Sequence, residues 1–348
     1  MSPSTIYDIL VIGGGPAGLS AALSASRQMR RILIVDSQEY RNNATTHMHN
    51  VVGFDHVPPL EFREKVWRDL ERRYGEDMVR LVKGRVGSVE NRSKAEKTLF
   101  KVKSEGGEEW SARKIIVATG AKDVFPDIPG YAEAWGKSIF HCLFCHGYEE
   151  RNTPLSGSLA YGLIPLVATH HLGPNIAMAS RLSEKHVIYM NGSPSEQVDQ
   201  IKADKVVNAL LQSGRVTLDE RKIERIVMRG IASDDDAKPN DHANLVLEFA
   251  DGPAAHLAFL AHPTHQTLSP GSAMIVKDLG LELTPSGNEI KAISPMQDTS
   301  VRGVYVAGDV STMMKAASIA ISLGSAAGAM VARELAVEDA LFPASGNA

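Results

Sequence analysis

"YDILVIGGGPAGLSAALSASR", Tyr7 to Arg27, begins as a β-branched and apolar run, passes at once into glycines, and continues as an alanine-rich helical pattern. It reads as strand, tight turn and helix. Gly13, Gly15 and Gly18 fit G-x-G-x-x-G, with Pro16 and Ala17 at the two positions before the last glycine. The first glycine permits the turn, the second lets backbone approach a pyrophosphate, and the third lets helix pack closely on strand, while the helix N-terminus faces the phosphates. A second strand, "RILIVDSQ", ends at Asp36, about where a carboxylate would accept hydrogen bonds from a ribose. A glycine-rich turn in some other α/β fold is the alternative. The ordered strand, helix and acidic residue favour a dinucleotide site.

Working outward, 348 residues with 43% hydrophobic side chains suffice for two ordinary cores. The 37 basic and 41 acidic residues leave a formal charge of −4, no field to draw in nucleic acid or an anionic membrane. A small-molecule partner is expected. The N-terminus shows no secretion signal, and no apolar run reads as approaching the ~20 residues needed to span a bilayer. The C-terminal "PASGNA" matches no lipidation or retention signal. A cytoplasmic location is the expectation.

Two later segments say which dinucleotide. "KIIVATGAKDVFPDIPG" is a strand ending in Ala118, Thr119 and Gly120, followed by a turn-rich exit; "VRGVYVAGDV" is a strand ending in Gly308 and Asp309, with a small-residue helix after it. With the N-terminal motif these resemble the flavoprotein disulfide reductases, in the low-molecular-weight thioredoxin reductase branch, over most of the chain. The resemblance implies two Rossmann-like, three-layer α/β domains. The FAD domain would be discontinuous, 1–122 and 262–348, with a central domain inserted at 123–261. It places Asp309 on the ribityl and phosphate side of the flavin; a helix N-cap is the other reading of that residue. Asn43 and His49, in the "RNNATTHMHNVVGFD" loop, would line the FAD or substrate pocket.

A thioredoxin reductase also needs a second glycine motif, for NADPH, in the inserted domain. The equivalent stretch is "PLSGSLAYGLIPLVATHHLGP". Starting at Gly162 puts Ile164 and Val167 where glycines belong, and starting at Gly157 puts Leu159 in the middle. A branched side chain there blocks the approach that glycine allows. The next strand, "KHVIYMNGSPSEQ", ends without an acidic residue for a ribose diol or an arginine cluster for a 2′-phosphate. The sequence reading is that NADPH binding is lost.

The two cysteines of the chain, Cys142 and Cys145, lie in "HCLFCHGYEE". Zinc needs four ligands and finds a single Cys-x-x-Cys, so no metal is expected, and a staple across so short a loop would close little chain entropy. In thioredoxin reductases a Cys-x-x-Cys stands at this place, followed by an aspartate that acts as acid and base. Here His146 follows. That pattern is similar to the fungal dithiol oxidases that close the disulfide of gliotoxin and related epidithiodiketopiperazines. The resemblance implies retained FAD, dispensable NADPH, and O2 as electron acceptor with release of hydrogen peroxide. Cys142 would be attacked by a substrate thiolate, Cys145 would be the flavin-proximal sulfur, and His146, then His141, would be the base. Relatives of this type are homodimers, and a homodimer is expected here by analogy. The scattered histidines at 47, 49, 170, 171, 262 and 265 read as loop hydrogen-bonders, since no carboxylate stands at ligand spacing. An NADPH-dependent disulfide reductase, and a flavin-binding scaffold or sensor without turnover, are the competing readings.

Overall fold

The structure is a computed structural model, described over residues 6–94, 97–161, 165–229, 244–293 and 295–343. The chain divides into two compact units. The first comprises Met1–Asn43, Pro59–Lys122 and Gln266–Ala348; the second comprises Ala44–Pro58 and Asp123–His265. The outer boundaries thus fall at Lys122 and His265, and Ala44–Pro58 packs with the inserted unit rather than with the N-terminal one. Local packing explains the last difference: Thr45 and Ala44 crowd Gly136, whose missing side chain would meet them at 3.2 and 3.3 Å. His49 is also bonded to Cys145.

In the first unit the strands Val79–Lys83, Ile32–Asp36, Ile6–Ile12 and Glu109–Val117 pair side by side in that order, all parallel. Phe100–Ser104 and Val86–Asn91 continue the sheet antiparallel, and Val304–Val306 pairs parallel with the far end of Glu109–Val117. A parallel sheet buried on both faces needs near-continuous apolar strands. Ile9, Val11, Ile32 and Ile34 accordingly enter a core with the helices Pro16–Ser26 and Ala317–Leu341, while Leu10, Leu33, Val35 and Ile115 enter another with Pro270–Leu279. These are the three layers expected from the sequence.

The helix Ala317–Leu341 corrects one expectation: by length and composition it is apolar enough to cross a membrane. Its apolarity serves helix packing. Side chains at Gly324 and Gly328 would come within 2.1 and 2.2 Å of the carbonyl oxygens of Ala17 and Ala21, so glycine there lets two helix backbones touch.

The second unit has a five-stranded parallel sheet, in the order Val216–Asp219, Ser183–Tyr189, Thr153–Leu159, Leu260–Ala261, Ile139–Phe140. An antiparallel sheet of Ile223–Met228, Leu245–Phe249 and Ala255–Leu257 shares a core with it through Tyr189, Leu159, Phe249 and Leu260. Two histidines are sealed inside. His186 is held between Ser156 (2.7 Å from Nδ1) and Ser158 (2.9 Å from Nε2), and His262 between the Tyr131 hydroxyl (2.6 Å) and the Tyr161 carbonyl (3.1 Å). The loop expected at 232–244 lies, but for Asn244, outside the described residues.

Candidate active site

In the first unit the glycine turn is built as its motif requires. Gly13 has φ +108°, and a side chain on it would sit 2.4 Å from the carbonyl oxygen of Ala118; the strand expected to end in Ala118–Thr119–Gly120 stops at Val117, and the turn closes against the segment just past it. A side chain on Gly18 would lie 1.9 Å from the Gly13 carbonyl oxygen. Gly15 differs. Nothing lies within 4 Å of where its side chain would be, and as N-cap of the helix Pro16–Ser26 it supplies no side-chain cap to the first amides. Open space in front of uncapped helix amides suits a pyrophosphate.

Asp36 is buried and engaged by the chain itself: Oδ1 accepts from the amides of Gly14 (3.0 Å) and Gln38 (3.2 Å), and Oδ2 from the Tyr40 hydroxyl. It braces the glycine turn as well as marking the strand end. Asn43 accepts from Arg63 Nη2 at 3.2 Å, and Asn42 from Nη1 at 3.3 Å. Arg63 also lies 3.8 Å over the Tyr40 ring, and its Nε finds no acceptor among the described residues. Burial lowers its pKa, with Tyr40 and Asp36 opposing. Sequence reasoning missed Arg63, because "PPLEFREKVWRDLERRYG" reads as an amphipathic helix with a charged face; Pro59–Tyr74 instead turns Arg63 inward beside Phe62.

Gly308 has φ +82°, and a side chain there would meet Ala17 Cβ at 2.7 Å. Asp309 next to it pairs with Arg41 at 3.4 Å, while Lys315 donates to its backbone carbonyl at 2.9 Å. The N-cap reading of Asp309 is corrected: the helix begins at Ala317 with Ala316 as N-cap. Thr119 bonds Ser272 at 2.7 Å. The structure therefore brings Gly13, Gly15, Gly18, Ala17, Ala118 and Gly308 to one end of one sheet, where ligands of open α/β folds bind. Asn43 is linked to the same turn at one remove, through Arg63, Tyr40 and Asp36.

In the second unit Cys142 and Cys145 are joined by a disulfide, at either end of one short turn. His146 is the last residue of the helical turn Leu143–His146; its ring stacks on Phe140 (centroids 5.3 Å apart) and meets His49 edge-on at 6.0 Å. Burial, helped by His49, pushes its pKa down to about 4, so the imidazole is uncharged at neutral pH. His141 stacks on Trp135 at 5.3 Å. His49 donates from Nδ1 to the Cys145 carbonyl at 2.6 Å, which sets it beside the cysteine turn in the second unit, not in the first. Glu150, which sequence reasoning passed over, is buried, and burial beside Glu149 raises its carboxyl to about 8.

Of the second glycine motif, 162–164 lie outside the described residues. Gly157 sits inside the strand Thr153–Leu159, where a side chain would strike Tyr189 at 2.6 Å and Leu260 at 3.0 Å. It is a packing glycine. Beyond the strand Ser183–Tyr189 the buried Asn191 accepts from the Ile223 amide at 2.8 Å.

Comparison with known proteins agrees with this geometry. The family described as "Pyridine nucleotide-disulphide oxidoreductase" matches residues 7–172. Thioredoxin reductase tcpT of Claviceps purpurea is 39% identical over 336 residues, 96% of each chain. Thioredoxin reductase sirT of Leptosphaeria maculans is 35% identical, over 94% of each. Among solved structures, HlmI superposes with a TM-score of 0.78 at 27% identity, over 97% of this chain and 94% of that one. An oxidoreductase from Agrobacterium tumefaciens gives 0.74 at 29%, over 97% and 100%. With relatives matched end to end, the chain belongs to the thioredoxin reductase-like flavoproteins of the pyridine nucleotide-disulphide oxidoreductase family, and its cofactor is FAD.

Proposed function

We propose that the protein is a dithiol oxidase: it closes an intramolecular disulfide in a small dithiol natural product of the epidithiodiketopiperazine type and passes the electrons to O2. The observation that carries this reading is the Cys142–Cys145 disulfide followed by an uncharged, half-buried imidazole, His146. The position is that of a reductase's acid and base, and the residue is one that accepts a proton only when a thiolate is present to stabilise it.

A thiolate of the substrate attacks Cys142, breaking the enzyme's S–S bond and forming a mixed disulfide. The second substrate thiolate then displaces Cys142, so the product leaves as a disulfide and the enzyme holds two reduced sulfurs. FAD, when bound, would supply the two-electron chemistry between the reduced cysteines and O2, so that the sum is dithiol plus O2 giving disulfide plus hydrogen peroxide. Only thiolates attack, and an ordinary thiol near pKa ~8.5 is mostly protonated at neutral pH. His146 takes that proton. An imidazolium is disfavoured beside a neutral disulfide and favoured beside a thiolate, so the proton arrives when the sulfur ionises and leaves when the disulfide reforms. His141, on Trp135, is the second candidate. Gly13, Gly15, Gly18 and the helix Pro16–Ser26 would hold the pyrophosphate, Gly308 and Asp309 the ribityl side, and Ala118 to Gly120 the floor of the turn. The assembly is a homodimer in this reading.

The relatives' printed names, thioredoxin reductase, favour a second reading in which NADPH reduces the flavin. Against it stand Gly157, committed to packing, and Asn191, committed to Ile223. Anaerobic flavin absorbance separates the two. Bleaching by a small dithiol but not by NADPH, reversed by air with one hydrogen peroxide per disulfide, is the expected result; bleaching by NADPH restores the reductase.

A further inference from the structure

We infer that His49, His56 and Glu149 form a binding site for a Zn2+-class divalent cation, outside the thiol chemistry. Their ligand atoms all lie within 4.8 Å of one another, with His49 Nε2 at 2.9 Å from His56 Nδ1 and 3.2 Å from Glu149 Oε1. Bonds of ~2.0–2.2 Å to a tetrahedral zinc put neighbouring donors ~3.3–3.6 Å apart, so small adjustments centre an ion.

Hydrogen-bond accounting points to a cation. His49 donates its Nδ1–H to the carbonyl of Cys145, which in the neutral ring makes Nε2 a lone pair. That lone pair faces a second imidazole nitrogen and a carboxylate oxygen. With His49 uncharged, a proton given by His56 leaves Glu149 against an already occupied lone pair, and without that proton three acceptors converge; a proton held on His49 is the one competing way to satisfy the cluster. One positive centre satisfies all three. A ring N–H given to a backbone carbonyl is also how zinc-bound histidines are oriented. The donor set, two imidazoles and one carboxylate, selects borderline transition cations over Ca2+ or Mg2+, which prefer oxygen alone. His56 is exposed, so the fourth position opens to solvent.

The backbone is arranged for this. Met48 and Val57 form an antiparallel bridge, which sets His49 and His56 side by side just inside it. The connecting turn is tight: Asn50 (φ +61°), Gly53 (+82°) and His56 (+58°) are left-handed, and Asp55 caps the Asn50 amide at 2.7 Å. Glu149 arrives from the turn that follows the cysteines. An ion there ties the Ala44–Pro58 segment to the redox turn. Residue order hides this grouping, because the carboxylate stands a hundred positions from His49.

The test uses the FAD-loaded protein with its disulfide intact, in buffer free of thiols, so that sulfur cannot ligate. Zn2+ is added in equilibrium dialysis with elemental analysis, and Co2+ is followed by its visible bands beyond the flavin absorbance. One Zn2+ per chain and a tetrahedral-type Co2+ spectrum displaced by Zn2+ are expected. His56→Ala and Glu149→Gln should each weaken binding by about tenfold or more, the least that loss of even a supporting partner costs. His256→Ala, at an exposed histidine of the same unit, should leave it unchanged. Absence of bound Zn2+, or equal binding by His56→Ala, overturns the inference, in which case a shared proton holds the cluster. The outcome is independent of whether dithiols reduce the flavin.

Discussion

Acidification should destabilise the second unit through a histidine that has no part in the chemistry. His186 is sealed between strands, and burial lowers its pKa from 6.5 to about 3. A depressed folded value means that the unfolded chain binds the proton first, so the stability associated with neutral His186 is present above pH 6.5 and is lost as pH falls toward 3. At pH 5 the unfolded imidazole is almost fully charged and the folded one is not, which costs about 2 kcal/mol relative to pH 7.5, from 2.303RT·log(1 + 10^1.5). Glu150 works in the opposite direction: its raised value favours the folded state at low pH, and that contribution is lost as pH rises through about 8. The total pH profile therefore mixes signs, and a single-site difference isolates His186. The assay is urea unfolding of a Trp67→Phe/Trp110→Phe protein, in which Trp135, in the second unit, is the remaining tryptophan of three. The stability gap between this protein and its His186→Gln derivative should narrow by about 2 kcal/mol between pH 7.5 and 5. A gap that stays constant over that range would refute the reasoning.

Other outcomes follow from the site. Cys142→Ser and Cys145→Ser proteins should each keep the yellow flavin and lose dithiol-dependent O2 consumption, and turnover by either would remove the disulfide from the mechanism. His146→Asn should lower that consumption by about 10²–10⁴-fold at unchanged flavin content, the range for a lost general base; a rate within threefold of the parent would assign the proton transfer elsewhere. Gly15→Val should fold with about the melting temperature of the flavin-free parent yet purify without flavin, because its side chain enters open space, whereas Gly18→Ala should be destabilised by contact with the Gly13 carbonyl. Retention of FAD by Gly15→Val would contradict the pyrophosphate assignment.

The nucleotide turn was legible because its physics is local: three glycines, a strand and a helix within one stretch, each required by backbone geometry. The cysteine pair, three positions apart, was visible as a pair, and the structure joins it in a disulfide. What escaped were partners brought together over long separations. Arg63 reads as one charge among many on a helix, and only the fold buries it against Tyr40 and Asn43. The cap offered as the other reading of Asp309 falls away once the helix is seen to start at Ala317. The Ala44–Pro58 segment follows an FAD-type strand in sequence and packs with the other unit, because His49 bonds Cys145. Glu149 and Glu150 stood in a quoted motif, yet what distinguishes them, proximity to His49 for one and burial for the other, does not exist in one dimension.

The close approach of the Ala317–Leu341 and Pro16–Ser26 helices has a consequence for biosynthesis. During translation the residues that pack on the first helix, and the strand Val304–Val306 that completes its sheet, are made after everything in the inserted unit has been made. A chain emerging from the ribosome can finish the cysteine-bearing unit once His265 is free, while its first helix waits for Gly324 and Gly328. The cysteine turn can thus acquire its folded surroundings before the first unit is completed, although that unit's glycine turn comes first along the chain.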